Sequence, residues 1–317
     1  MKLYLARRVL FGVIVLLLVS VGTFTVVRLA PGGPGVLVSP DLPAGEVERI
    51  RHEMGLDQPI YVQYWAWLSR SVRGDLGASF INGRPVLELV FERVPATVLL
   101  AGSAFALALI FGMGIGVISA LRPGSLLDHV LTAGSFIGIS TPPFWLGIVM
   151  ILVFSVSLRV LPSSGMQTLG VRNSPYDLLL HLLMPATVLA LISVASISRY
   201  TRVAMLGVLR QDYIRTARSK GLRDRVVLTR HALRNALIPV TTVLGTTFTT
   251  LFGGAPVTES VFGWPGLGQL AVQAARFNDY TLIMAITLFV SVIVVATNLL
   301  IDLLYAYIDP RINLVDA

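Results

Sequence analysis

The 317-residue sequence contains no cysteine and little charge. The absence of cysteine excludes disulfide bonds, thiolate metal sites and cysteine nucleophiles. Only 13% of the residues are charged, whereas 55% are hydrophobic and the mean hydropathy is +0.77, which is far more apolar than a soluble domain. Because the apolar residues cluster in long runs, the sequence predicts an all-α protein that crosses the lipid bilayer several times.

Lysine is nearly absent as well, which bears on the source of energy. The chain has only Lys2 and Lys220, and neither stands in the Gly-x4-Gly-Lys-Ser/Thr sequence of an ATP-binding P-loop. Ionisable residues are also missing from the interiors of the second to fifth predicted spans, where a secondary transporter generally needs them for ion coupling. Asp302 lies near the end of the sixth span. We therefore expect that another chain supplies the energy for any active transport.

Six apolar runs are long enough to cross the hydrocarbon core of a bilayer, which is roughly 30 Å thick and takes about 20 helical residues. The predicted spans are the N-terminal helix within 1–30 and helices at about 97–121, 131–158, 178–198, 239–256 and 282–304. We interpret the first as an uncleaved span and not as a signal peptide. Its apolar run from Val9 to Val27 exceeds the usual signal-peptide length, and no clear cleavage site follows.

The segment at 31–96 is too small and too polar for an independent domain, so we expect an extracytoplasmic cap packed on the membrane part. Helices are predicted from Glu46 to Met54 and from Ile60 to Val72, and Trp65 and Trp67 are candidate anchors at the membrane interface. The membrane domain then covers 97–306, and a cytoplasmic tail covers 307–317.

Three patterns within the predicted spans bear on packing or transport. Gly112 and Gly116 form a GxxxG pattern, which permits close approach of helices. Pro142 interrupts the third span and predicts a kink, because Pro-Pro removes helical hydrogen bonds. Spacings of three and four residues place a small polar face on the fifth span. This threonine face consists of Thr242, Thr246, Thr249 and Gly253. Pro142 and the threonine face either line a translocation pathway or serve helix packing, and the sequence leaves both interpretations open.

The loop at 199–238 is strongly basic. Ten of the 25 Lys and Arg residues lie between Arg199 and Arg234, against only Asp212 and Asp224. A basic loop between spans predicts a cytoplasmic position, and six spans then place both termini in the cytoplasm. The net charge of +8 is therefore interpreted as a signal of membrane orientation, and we expect no binding of nucleic acid.

The basic loop also carries a specific motif. An uninterrupted run before Gly221 and a second run after it predict a helix, a turn and a helix. The motif resembles the EAA loop of ABC-importer permeases, in the form found in the dipeptide and oligopeptide branch. Its residues are Asp212, Tyr213, Ile214, Arg215, Thr216, Ala217, Arg218, Ser219, Lys220, Gly221 and Leu222. The resemblance implies that this short helix docks in a cleft of an ATPase subunit and couples ATP hydrolysis to the spans.

Further segments resemble the same family in the same order along the chain. They are 54–59 and 74–79 in the cap, 259–270 after the fifth span and 302–311 at the end. The resemblance implies that 259–270 is a re-entrant segment at the outer mouth, where Glu259 meets a binding protein or a substrate amine, and its glycine and proline content disfavours a regular helix. Two positions depart from the general motif. Arg215 replaces the family's Glu, and Arg234 stands where a proline is expected.

The resemblance implies a type I ABC-importer permease with the MetI-like fold, located in a bacterial or archaeal plasma membrane. It also implies four kinds of protein or solute partner: a second homologous permease subunit, two ATP-binding subunits that hold ATP and Mg²⁺, an extracytoplasmic binding protein and a peptide substrate. The chain itself is expected to hold no cofactor and to catalyse no reaction. Related importers carry nickel chelates or glutathione, and these remain alternative cargoes.

Two function classes compete with the importer interpretation. An intramembrane enzyme lacks support because His52-Glu53 is not followed by the second histidine of a zinc-protease helix, and the four histidines are scattered. A channel is compatible with the composition, but it offers no reason for an EAA-like loop.

Overall fold

The computed structural model describes residues 2–29, 52, 57–171, 174–253 and 255–308. At 2–5 and 304–308 it describes the backbone, and elsewhere in these ranges it describes the side chains as well. These residues are almost entirely helical, and an isolated β-bridge joins Ala78 to Pro85. In chain order the helices are α1 (Lys2–Leu29), α2 (Ile60–Val72), α3 (Val86–Leu121), α4 (Leu126–Ser140), α5 (Pro143–Ser157), α6 (Pro175–Leu209), α7 (Asp212–Ser219), α8 (Asp224–Phe252), α9 (Pro256–Val261), α10 (Leu267–Arg276) and α11 (Tyr280–Ile308). Most of the helix predicted at 46–54 and the tail from 309 lie outside the described residues.

Five of the described helices are long and apolar enough to span a membrane, and the bent pair α4 and α5 makes a sixth. Several helices are longer than the apolar runs from which they were predicted. Helix α3 begins at Val86, inside the predicted cap, and α6 continues through the predicted loop to Leu209. Helix α8 begins at Asp224, so Pro239 lies within it. Hydropathy identifies only the part of a helix that lies in the hydrocarbon core, whereas helical backbone hydrogen bonding continues into the polar residues on either side of it.

The third predicted span is broken rather than kinked. Helices α4 and α5 meet at an angle of 104°. Thr141 and Pro142 are extended between them, because a residue that precedes a proline is disfavoured in the helical region. The second half of α5, Ile151–Ser157, is π-helical.

Helices α3 and α6 form the centre of the fold. A Cβ atom added at Gly112 would lie 2.8 Å from the Ile197 Cβ, and one at Gly116 would lie 2.6 Å from the Ser198 carbonyl oxygen. The GxxxG pair therefore permits a backbone approach that alanine would prevent. Small residues on both helices continue this contact, namely Ala101, Ala104, Ala108, Ala190 and Val194.

Candidate functional site

The helix predicted within the basic loop forms α7, with an apolar face and a polar face. Ile214 and Ala217 are buried three residues apart, as one helical face requires. They pack in a cluster with residues from α3, α6 and α8, which are Ala120, Met205, Val227, Ala232 and Ala236. The remaining residues of α7 are exposed. The helix is therefore a polar ridge held by an apolar base, and we call it the coupling ridge.

Gly221 ends the coupling ridge in a left-handed conformation with φ +76°. The Gly221 N–H donates to the Arg218 carbonyl at 2.9 Å, and the Leu222 N–H donates to the Ala217 carbonyl at 3.4 Å. This pair of bonds is a Schellman motif, which satisfies the last carbonyls of the helix. No atom lies within 4 Å of an added Cβ, so glycine is required here by backbone conformation and not by space.

Two polar contacts fasten the coupling ridge to α8. The Asn235 side-chain amide donates to the Tyr213 hydroxyl at 2.9 Å, and Arg218 pairs with Asp224 at 3.3 Å. Arg215, which departs from the general motif, is exposed and lies 3.8 Å from the exposed Asp212. An exposed pair at this distance contributes little to stability. The outward face of the ridge is thus available to a partner.

Beneath the ridge, the structure brings together an ion pair that the sequence analysis did not predict. Asp128, in the first turn of α4, accepts from Arg202 Nε at 2.8 Å and from Arg202 Nη2 at 2.6 Å. The Gly124 N–H donates to the same carboxylate at 3.0 Å. Arg202 lies on α6 about two turns before that helix ends at Leu209, beyond the apolar run that was predicted as the span. A bidentate pair of this kind fixes the start of α4 against the helix that leads into the ridge.

A cavity of about 130 Å³ adjoins Arg202 between α3, α4 and α6. Its lining includes the hydroxyl residues Ser119, Thr132, Ser135 and Ser198. Ligand sites for drug-sized molecules typically measure about 300–1,000 Å³. This cavity is therefore too small to hold a peptide.

The predicted threonine face divides into two parts. Thr242 and Thr246 are exposed, whereas the Thr249 hydroxyl donates to Asn298 of α11 at 2.9 Å. Gly253 follows the end of α8 and is half-buried. Pro142 is exposed at the break between α4 and α5. One end of the face thus serves helix packing, and Thr242, Thr246 and Pro142 remain candidates for a pathway.

Glu259, which was predicted to meet a binding protein or a substrate amine, is buried in the structure. Glu259 is 1% exposed, and its carboxylate accepts hydrogen bonds from the Thr97 hydroxyl at 3.2 Å and from the Gln269 N–H at 2.8 Å. Thr97 in turn accepts from the Leu267 N–H at 2.8 Å. Burial raises the pKa of the Glu259 carboxyl, while the bonds from Gln269 and Thr97 lower it. Glu259 therefore organises the interior of the segment, and its contact with a solute or a binding protein stays a prediction.

The segment around Glu259 is a packed plug, which we define as α9, the turn 262–266 and α10. A Cβ atom on Gly266 would overlap the Glu259 carboxylate, and one on Gly268 would lie 2.7 Å from the Pro256 Cα. Trp264 is fully buried and its indole N–H donates to the Ala96 carbonyl at 2.9 Å. As the glycine and proline content predicted, no regular helix runs through 259–270, because α9 ends at Val261 and α10 begins at Leu267.

Comparisons with known proteins identify the family. Residues 112–314 match the model of the binding-protein-dependent transport system inner membrane component, and residues 1–101 match that of its N-terminal part. The chain belongs to this family. The oligopeptide transport system permease protein AppB of Bacillus subtilis is 44% identical over 99% of this chain and 100% of its own length. A Brucella suis relative, named provisionally as a peptide permease, is 42% identical over 98% of both chains.

Solved structures confirm the fold of this permease. An inward-facing structure of the MetNI methionine ABC transporter matches with a TM-score of 0.58 at 19% identity, covering 71% of this chain and 99% of that one. An amino acid ABC transporter determined with histidines matches with a TM-score of 0.51 at 17% identity, covering 69% and 94%. The permease therefore has the type I ABC-importer fold and is an integral membrane subunit of a transport complex, as the sequence predicted.

Proposed function

We propose that this permease subunit pairs with a second homologous permease to form the pathway through which an ATP-driven importer moves peptides into the cell. The observation that carries the proposal is the coupling ridge, a polar helix that projects from the ends of α3, α6 and α8. Two ATP-binding subunits hold ATP and Mg²⁺, and each grips one such ridge. Their closure on ATP then moves the helices to which the ridge is fastened.

Peptides are the proposed cargo because relatives that are 44% and 42% identical over nearly the whole chain carry peptide-transport names. The exposed residues Thr242 and Thr246 offer small, neutral, polar groups that suit a hydrated zwitterion. An extracytoplasmic binding protein delivers the peptide and does much of the selection. Nickel chelates and glutathione are alternative cargoes within the same class of importer.

The proposed location is the bacterial or archaeal inner membrane with both termini in the cytoplasm. The coupling ridge must face the compartment that contains ATP. The concentration of basic residues around it agrees with that side of the membrane.

The first experiment is affinity purification of the subunit in mild detergent, followed by identification of the co-purifying chains and measurement of vanadate-sensitive ATPase activity. The proposal expects a second permease and P-loop ATPases. Recovery of a homogeneous single chain without ATPase activity would contradict it and favour a channel or a membrane enzyme.

Gly221→Pro tests the ridge itself. Proline removes the N–H that bonds to the Arg218 carbonyl and cannot adopt φ +76°. The turn that ends the coupling ridge is therefore lost, while the membrane spans are unaffected. We expect ATP-dependent peptide uptake to be abolished and membrane insertion to be retained. Gly114→Ala is the matched control, because no atom lies within 4 Å of its added Cβ. Normal uptake by a stably inserted Gly221→Pro variant would contradict the coupling role.

Thr246→Trp tests the pathway separately. The side chain is exposed, so a bulky replacement leaves the subunit folded and obstructs only a solute. We expect loss of uptake with normal recovery of the ATPase in the purified complex. Loss of the ATPase in that purification would show that the threonine face is structural.

A further inference from the structure

Helix α2 sits against the ends of two membrane spans. Its buried Trp67 packs in a cluster with Phe24 and Val27 of α1 and with Tyr280 and Met284 of α11. Span α1 ends at Leu29 and span α11 begins at Tyr280, so the residues of both spans in this cluster lie close to the span ends. The Tyr64 hydroxyl also lies 2.8 Å from the Ser20 hydroxyl. Because α2 contacts α1 from Ser20 to Val27, it lies at the level of the membrane and not above it.

The rest of α2 has two different flanks. Tyr61, Trp65 and Val72 are 66%, 64% and 79% exposed, and spacings of four and seven residues align them in one stripe. Arg70 is exposed and charged, and it lies about 140° around the helix from Trp65. An apolar flank, a polar flank and a face packed on protein are what a helix needs when it lies in the plane of a membrane interface.

We propose that α2 is an interfacial helix whose Tyr61, Trp65 and Val72 insert into the outer lipid leaflet, with Arg70 in the headgroup layer and water. The amphipathic rings of tryptophan and tyrosine favour this depth. The sequence predicted both Trp65 and Trp67 as anchors. The structure assigns this role to Trp65, because Trp67 is buried against Phe24 at a ring distance of 5.7 Å.

The interfacial position gives the helix a mechanical role. It clamps the outer ends of α1 and α11 together, since its protein face contacts both. Lipid contact along the stripe then holds these two ends at a constant depth while other helices move. This inference concerns anchoring and is independent of the cargo or the coupling mechanism.

The absence of cysteine permits a direct measurement of depth. Trp65→Cys places a single thiol on the apolar flank, and Arg70→Cys places one on the polar flank of the same helix as a matched control. Each variant is labelled with an environment-sensitive fluorophore in the assembled complex, in vesicles of phosphatidylethanolamine and phosphatidylglycerol. The complex with the unsubstituted chain gives the background from cysteines of other subunits.

The proposal expects a nitroxide on a shallow acyl carbon to quench the residue-65 label about threefold more than the residue-70 label, and aqueous iodide to show the reverse order. Equal iodide quenching at both positions would overturn it, because the stripe would face water. Protection of the residue-65 label from both quenchers would also overturn it, because a protein partner would cover the stripe. Tyr61→Cys, on the same stripe, repeats the measurement at a second position if the Trp65 variant does not assemble.

Discussion

The plug and the coupling ridge use the same residue types for opposite purposes. In the plug, Glu259 is 1% exposed and is surrounded by donors, and glycine is needed because no side chain fits beside it. At the ridge, the side chain of Asp212 is 97% exposed, and Gly221 is needed for its backbone conformation in open space. A buried acid with satisfied bonds stabilises one arrangement, whereas an exposed polar helix can bind a partner.

The difference predicts that equivalent substitutions have unequal effects at the two sites. Changes in the plug leave buried groups without partners or force atoms to overlap, so they lower the stability of the folded chain. Changes at the ridge leave the spans packed and alter the surface offered to a partner. Measuring stability and transport separately therefore distinguishes the two regions.

The largest effect on stability is expected from Glu259→Ala. The Thr97 hydroxyl and the Gln269 N–H lose their acceptor in a buried site, where each unsatisfied group costs about 1–3 kcal/mol. We expect a loss of about 3 kcal/mol, measured as thermal unfolding of the purified subunit in detergent. Asp212→Ala is the matched control at the ridge. An equal loss in both variants would remove the distinction between buried and exposed acid.

Gly268→Ala should follow. Its Cβ would lie 2.7 Å from a backbone atom, the Pro256 Cα, which cannot move without displacing α9. Overpacking of this kind costs about 1–3 kcal/mol, and the same unfolding measurement should detect it. Gly114→Ala provides the control in open space. If the two alanine variants unfold at the same temperature, the plug is less tightly packed than the structure indicates.

Gly221→Ala should have a smaller effect on stability, because a left-handed alanine costs about 1–2 kcal/mol and the strain is confined to the exposed end of α7. Gly221→Asn should be better tolerated, since asparagine enters this region more readily. Uptake assays should rank glycine above asparagine and asparagine above alanine. A reversed order would show that the position requires small size rather than a positive φ.

The smallest effect concerns pH. Burial raises the pKa of Glu259 in the folded protein, so the folded state binds this proton more readily than the unfolded state. The corresponding stability is fully present below the unfolded pKa and is lost as the pH rises through the folded pKa. Between about pH 5 and about pH 8, the wild-type Tm should therefore fall more than that of the Glu259→Gln variant. Parallel curves would show that Glu259 does not titrate in this range.

Much of the architecture could be predicted from the apolar runs and from local motifs. Helix α7 and its end at Gly221 follow from a run without glycine or proline and from one glycine after it, both of which act within a few residues. The lengths of α3 and α6 could not be predicted, since polar residues continue both helices beyond the hydrophobic core. A kink at Pro142 was expected, but the complete break with its 104° angle depends on how α5 packs after it.

The contacts of Asp128 and Glu259 could not be predicted from the sequence, because their partners are far away in the chain. Asp128 on α4 pairs with Arg202 on α6, and Glu259 on α9 accepts a hydrogen bond from Thr97 on α3. An isolated acid at the start of an apolar helix was the only signal for Asp128, and nothing local indicates its partner. The burial of Glu259 could not be predicted for the same reason.

The sequence by itself determined that the chain is helical, that it lies in a membrane, that it lacks an ATP-binding loop and that a short basic-loop helix ends at Gly221. These properties depend on hydropathy, composition and local backbone preference. Only the tertiary structure decided that Glu259 is buried, that Arg202 is paired and that Trp65 rather than Trp67 is exposed. Burial depends on which distant helices meet, and the close approach of α3 and α6 at Gly112 and Gly116 establishes that arrangement.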